Sequence, residues 1–263
     1  MKMAPIKYRL SFVILPVLLL IAATPIGAAI FEDTFIDQQQ TEANWLNTGG
    51  NWTFPTDPAD SYRGTWDGLS FAASTLADQG QGYLLSNLFF QTSVALGFEN
   101  SAAGLWLAFD PEGNYVYQIS IISDFALFSG QDKLVLSRVK DRVAPGGFAI
   151  LSSDPPANGL SLDLGTFYSI EAAIDSQNEL SVTLKDIDEQ IIAALLYDLE
   201  DDPEFGGAVP DLAGVGIFAQ DMATFEDFSL DGVAVPIPGV QWLLGFGIVG
   251  VLCLRRKVMS PLP

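Results

Sequence analysis

The sequence predicts an all-β domain folded as an antiparallel sandwich or barrel, and three observations lead there. Seven short stretches rich in β-branched and aromatic residues follow one another, at 105–109, 115–122, 134–139, 168–174, 180–185, 191–197 and 214–219. Clusters of turn-forming residues separate them. No long amphipathic helical period interrupts the series. Regular strand and turn spacing without helices is the pattern of strands that bury one face against a second sheet.

Each element has a local reason. The first stretch stops at Asp110-Pro111-Glu112-Gly113-Asn114, where proline and glycine favour a turn over a continued strand. In Tyr115-Val116-Tyr117-Gln118-Ile119-Ser120-Ile121, alternation puts Tyr115, Tyr117, Ile119 and Ile121 on one face and Val116, Gln118 and Ser120 on the other. One packed face and one more polar face are expected. Ser129-Gly130-Gln131-Asp132 marks a turn ahead of 134–139. The stretch 170–174 and the alternating Leu180, Val182 and Leu184 read as a hairpin across Ser176-Gln177-Asn178. The stretch 191–195, beyond Asp186-Ile187-Asp188-Glu189, makes it a three-stranded meander. Near the two ends of the domain a phrase repeats, Phe31-Glu32-Asp33-Thr34-Phe35 and Phe225-Glu226-Asp227-Phe228, which predicts that the first and last strands are neighbours.

Composition narrows the chemistry. Of 263 residues, 32 are Asp or Glu, 12 are Lys or Arg, and none is His. The one cysteine, Cys253, lies in an apolar stretch near the C-terminus, so no disulfide forms within the domain. These counts exclude a Ser-His-Asp triad, a Cys-His pair, and zinc sites built on His or Cys. Residues 30–234 make a 205-residue segment, enough for a single core without disulfide staples. That segment holds all 32 acidic residues but six of the 12 basic ones, a net charge of −26. Such a surface repels phosphate backbones and anionic headgroups, so no nucleic-acid partner is expected. Calcium is the cofactor that this charge would favour. No Asp-x-Asp-x-Asp-Gly loop is present, so its carboxylates would have to converge from separate loops.

Both ends read as addresses. Lys2, Lys7 and Arg9 precede the apolar run 10–23, and Gly27-Ala28-Ala29 offers small residues to a signal peptidase. Residues 1–29 therefore read as a secretory signal peptide cleaved after Ala29. At the other end, Pro236 and Pro238 hold the chain extended. Residues 239–254 are an uncharged run of 16, or 20 counted from Val235. A membrane-crossing helix needs about 20. Arg255, Arg256 and Lys257 stop translocation and favour the cytoplasmic side, leaving 258–263 as a cytoplasmic tail, and Trp242 falls where an indole sits near the opposite interface. The order Val235-Pro236-x-Pro238, Trp242-Leu243, Gly245, Gly247, Gly250, then Arg255-Arg256-Lys257 resembles the PEP-CTERM sorting signal, in its VPLPA-like form. The resemblance implies export and recognition of 235–257 by exosortase. Anchorage in the inner membrane would be transient, and the tail would be removed on the way to the cell surface or extracellular matrix. Ile237 stands where the name-giving motif has Glu, and 258–263 run past the basic cluster. The alternative is an ordinary single-span anchor that is never cut.

The domain itself resembles the concanavalin A-like jelly roll, in its laminin-G-like or laminarinase-like branch. The resemblance rests on Phe-x-Asp-x-Phe at 31–35 with Asn44-Trp45 downstream, Gly50-Asn51-Trp52, 103–110, Asn114-Tyr115-Val116, 168–172 and 214–218. It implies a glycan-binding, glycan-hydrolysing or structural module.

Hydrolysis needs two carboxyl groups at a fixed separation. The glucanase pattern Glu-x-Asp-x-x-Glu is absent, and the densest acidic run, Asp198-Leu199-Glu200-Asp201-Asp202-Pro203-Glu204, reads as a solvated loop. No catalytic residue is therefore assigned. A binding face needs only exposed aromatics for sugar rings and polar neighbours for hydroxyls. Trp45, Trp52, Trp66, Trp106 and Asn114 are the candidates, although tryptophans in a sandwich more often fill the core. The expectation is a non-catalytic module that binds extracellular polysaccharide or supports a biofilm matrix. The alternative is a glycan hydrolase or lyase on the same fold.

Overall fold

All seven expected strands are present, and nine further strands surround them among the residues that the computed structural model describes, 28–67, 72–76, 81–109, 115–123, 131–140, 148–154, 160–206 and 208–236. In chain order the elements are β1 (Ala28–Asp33), the helix α1 (Gln38–Asn44), β2 (Trp45–Gly49), β3 (Asn51–Thr53), β4 (Tyr62–Thr65), β5 (Ala72–Leu76), β6 (Gln81–Leu84) and β7 (Leu88–Leu96). There follow β8 (Ala102–Ala108), β9 (Tyr115–Ile122), β10 (Lys133–Lys140), β11 (Phe148–Asp154) and β12 (Tyr168–Ile174). The last four are β13 (Glu179–Lys185), β14 (Ile191–Asp198), β15 (Leu212–Gln220) and β16 (Met222–Pro236).

The strands form two layers with antiparallel pairing throughout. One runs β11-β10-β9-β8-β15-β5-β2 and the other β14-β13-β12-β7-β16, with β1 and β4 also paired to β16 and β3 paired to β4. Short β6 pairs with both β15 and β16 and joins the layers at one corner. This is an antiparallel β-sandwich of jelly-roll type.

Alternation fills the space between the layers. Leu105, Leu107, Tyr117, Ile119, Ile121, Leu134 and Leu136 from one sheet meet Phe90, Val94, Ile170, Ala172, Leu180, Val182 and Leu184 from the other in one apolar cluster. The expectation of one packed and one polar face on β9 is corrected. Val116, Gln118 and Ser120 are buried like their inward neighbours, because the opposite face of this sheet carries its own apolar cluster of Ala73, Trp106, Ala108, Val116 and Phe218. Gly216 makes room for it. A Cβ at that position would lie 2.0 Å from the Trp106 indole nitrogen.

The first and last strands pair as the repeated phrase predicted, with Phe31 opposite Leu230, Glu32 opposite Ser229 and Asp33 opposite Phe228. Asp33 explains the opening motif. Its carboxylate accepts from the Phe35 backbone N–H at 2.8 Å, the Thr41 hydroxyl at 3.0 Å and the Trp45 indole at 2.9 Å, which ties α1 and β2 to β1. Phe31, Phe35 and Phe228 pack their rings against Trp45.

The ladders reach into both address segments. Ala28 and Ala29 pair with Val233 and Gly232, so a cut after Ala29 leaves Ile30–Asp33 of β1 in place. Val235 and Pro236 continue β16 opposite Gly82 and Gln81. The rest of the leader, and Pro238, Trp242, Gly245, Gly247, Gly250, Arg255, Arg256 and Lys257, lie outside the described residues. Among those described, no helix is long and apolar enough to cross a membrane.

Candidate functional site

The tryptophans singled out in the sequence go to different places. Trp45 is buried beside Asp33, with its ring edge-on to Phe228 at 4.9 Å. Trp52 stacks on Tyr62 at 4.7 Å and donates its indole N–H to the Gly49 carbonyl. Trp106 is buried on the opposite face of the other sheet. Trp66 is half exposed, and Asn114 lies outside the described residues. The four tryptophans therefore form no common platform. Trp45 and Trp106 are core residues, Trp52 is partly buried against the core, and Trp66 is the one presented to solvent.

Trp66 stands just past the end of β4, where its backbone N–H donates to the Asp221 carbonyl at 2.6 Å. Asp221 is the turn between β15 and β16 and takes a left-handed conformation, φ +68°. On its other side the end of β7 is held by Gly97 N–H donating to the Met222 carbonyl at 3.0 Å. The next residue, Phe98, is exposed. Its carbonyl accepts from the buried Ser101 hydroxyl at 2.6 Å, and Asn100 at φ +61° completes the turn. The exposed ring is thus held on a braced loop.

The acidic run is a solvated loop at Asp198, Glu200, Asp201 and Glu204, which are exposed, and Asp202 is the exception that the sequence did not show. A short 3-10 turn, Leu199–Asp201, folds the chain inward so that Leu199 and Asp202 are fully buried. The Asp202 carboxylate accepts from the hydroxyls of Tyr117 at 2.5 Å and Tyr115 at 3.0 Å and pairs with the Arg138 guanidinium. Phe109, Tyr197 and Phe205 pack around the two tyrosines. Lys140 holds Glu204 at 2.7 Å.

Electrostatics decides what this cluster can do. Burial works to raise the Asp202 carboxyl, but the hydrogen bonds from Tyr117, the Glu204 backbone and Tyr115, with the Arg138 charge, hold it below its ordinary value. The Lys140 hydrogen bond and charge lower Glu204 as well. Burial, and then the Asp202 hydrogen bond, raises the tyrosines. Both carboxyls are held ionised and hydrogen-bonded, so neither is set up to donate a proton as a glycosidase acid must. The cluster is a latch closing one end of the core. Elsewhere, partial burial and then the charges of Asp227 and Asp60 raise Glu226. Among the described residues, no three acidic side chains converge in a manner that could hold a metal ion.

No protein-family model matches the chain, and no curated protein matches it in sequence. Solved structures do. Lectin I from Ulex europaeus, in complex with the methyl glycoside of α-L-fucose, superimposes with a TM-score of 0.53 and 9% identity over 78% of this chain and 98% of that one. Winged bean acidic lectin, complexed with methyl-α-D-galactose, gives 0.52 and 10% identity over 80% and 100%. The carbohydrate recognition domain of Emp47p gives 0.51 and 13% identity over 77% and 95%. At such identities the likeness is one of fold.

Proposed function

We propose that this chain is a non-catalytic, exported glycan-binding module. The observation that carries the reading is the sandwich itself, which three carbohydrate-recognising proteins share over nearly their whole length. Asp202, buried with both oxygens already taken by Tyr115, Tyr117, Arg138 and the Glu204 backbone N–H, is committed to holding the core, which supports the non-catalytic half of the proposal. Retention of the full-length protein on polysaccharide from the producing organism is the expected result. Absence of retention on that polysaccharide and on a broad glycan array would favour a mechanical spacer.

The enzyme reading has one specific observation in its favour, the raised carboxyl of Glu226 near Asp227 and Asp60. It requires release of reducing sugar that Glu226→Gln abolishes.

Delivery to the surface belongs to the same proposal and rests on the order of residues from Val235 to Lys257. Exosortase would take the protein from the inner membrane to the cell surface or matrix. Mass spectrometry of the mature C-terminus tests this. Loss of the apolar run supports sorting, and a tail still attached supports a permanent single-span anchor.

A further inference from the structure

Three chain segments end side by side at one rim of the sandwich, and their registers align. Leu96 pairs with Ala223, and Met222 with Thr65. Continued past the ends of β7, β16 and β4, these registers put Phe98, Asp221 and Trp66 in one row. Backbone hydrogen bonds hold this arrangement, Gly97 N–H to Met222 O and Trp66 N–H to Asp221 O. Phe98 is 55% exposed and Trp66 50%, whereas Ala223 and Leu96, further in, are buried. Two interstrand steps make the row about 10 Å long.

We propose that this strip binds an uncharged polysaccharide, with sugar rings resting their C–H faces on Trp66 and Phe98 and hydroxyls donating to the Asp221 carboxylate between them. The inference rests on the glycan-binding reading and gives it a location and a ligand class. Flat apolar faces flanking a single acceptor match a pyranose, which is apolar on its ring faces and hydroxylated at its edge. Charge selects the class. Asp221, Asp67 and Glu99 stand in or beside the row, in a chain of net charge −20, so a polyanion such as a uronate polymer is repelled. The same charge argues against an anionic membrane as the occupant.

The test is affinity electrophoresis of the full-length protein, held in a detergent without a sugar headgroup, through native gels containing dextran, laminarin, galactomannan or alginate. At least one of the three neutral polymers should retard the protein, and alginate should not. Trp66→Ala and Phe98→Ala should each weaken that retardation about tenfold, and Trp66→Phe should recover most of it. Both side chains are half exposed, so an unchanged thermal transition will show that the variants fold. Retardation of the alanine variants equal to that of the wild type overturns the strip and leaves the glycan reading standing. Retardation by no neutral polymer, or by alginate alone, overturns the strip too, and retention by none of the four counts against the glycan reading itself.

Discussion

Asp202 shows how one side chain fixes a whole loop. It takes hydrogen bonds from residues 85 and 87 positions away and an ion pair from one 64 positions away, so the loop 199–206 is pinned to β9 and β10. Removing one partner of a buried charge pair leaves the other uncompensated, at about 3–5 kcal/mol. Asp202→Asn should destabilise the domain by that amount and Tyr117→Phe by about 2 kcal/mol, both read from urea unfolding. The pH dependence comes from the sign of the shift. Because the folded carboxyl lies below its unfolded value of about 3.9, its contribution is complete above that pH and is lost as pH falls through the folded value. Wild-type stability should therefore drop more steeply below about pH 4 than that of the Asn variant. None of this was legible in the sequence. Asp198 to Glu204 has no strand period, and its partners Tyr115, Tyr117 and Arg138 lie far off in the chain. Trp66 was legible as a loop residue from its neighbours Asp67-Gly68. Phe98 was missed, although the turn Gly97-Phe98-Glu99-Asn100 carries an apolar side chain where polar ones are usual.

At the scale of the element, the meander repeats one device. Asp175 accepts from the backbone N–H groups of Gln177 and Glu179, and Asp186 from those of Asp188 and Gln190. Each loop then needs a left-handed residue, Asn178 at φ +63° in the first and Glu189 at φ +60° in the second. Asparagine tolerates that conformation and glutamate resists it. Glu189→Gly should therefore stabilise the domain by about 0.5–1 kcal/mol, seen as a higher melting temperature. The lost contact to Lys185, 3.9 Å long and exposed, contributes little. Such strands were readable because apolar residues alternate with polar ones between clear turns. The early strands were not, since β3 is three residues long and β5 is Ala-Ala-Ser-Thr-Leu, with little apolar contrast. On β16 a bulge between Glu226 and Ser229 buries both Phe225 and Phe228, three residues apart, and hides the strand period.

For the molecule as a whole, β16 is the shared member, paired with β1, β4, β6 and β7. A chain ending at Gln220 loses all four ladders at once. It should show no cooperative thermal transition by circular dichroism, although every other strand remains in the sequence. That arrangement also sets a clock. The layer without β16 has all its strands once β15 is made. The second layer waits for the last of the described strands before β1, β4 and β6 find their partner, and the long sequence separations of these contacts slow its closure. Were the protein exported as proposed, a translocation channel, which passes extended chain, would meet it with that second layer still open.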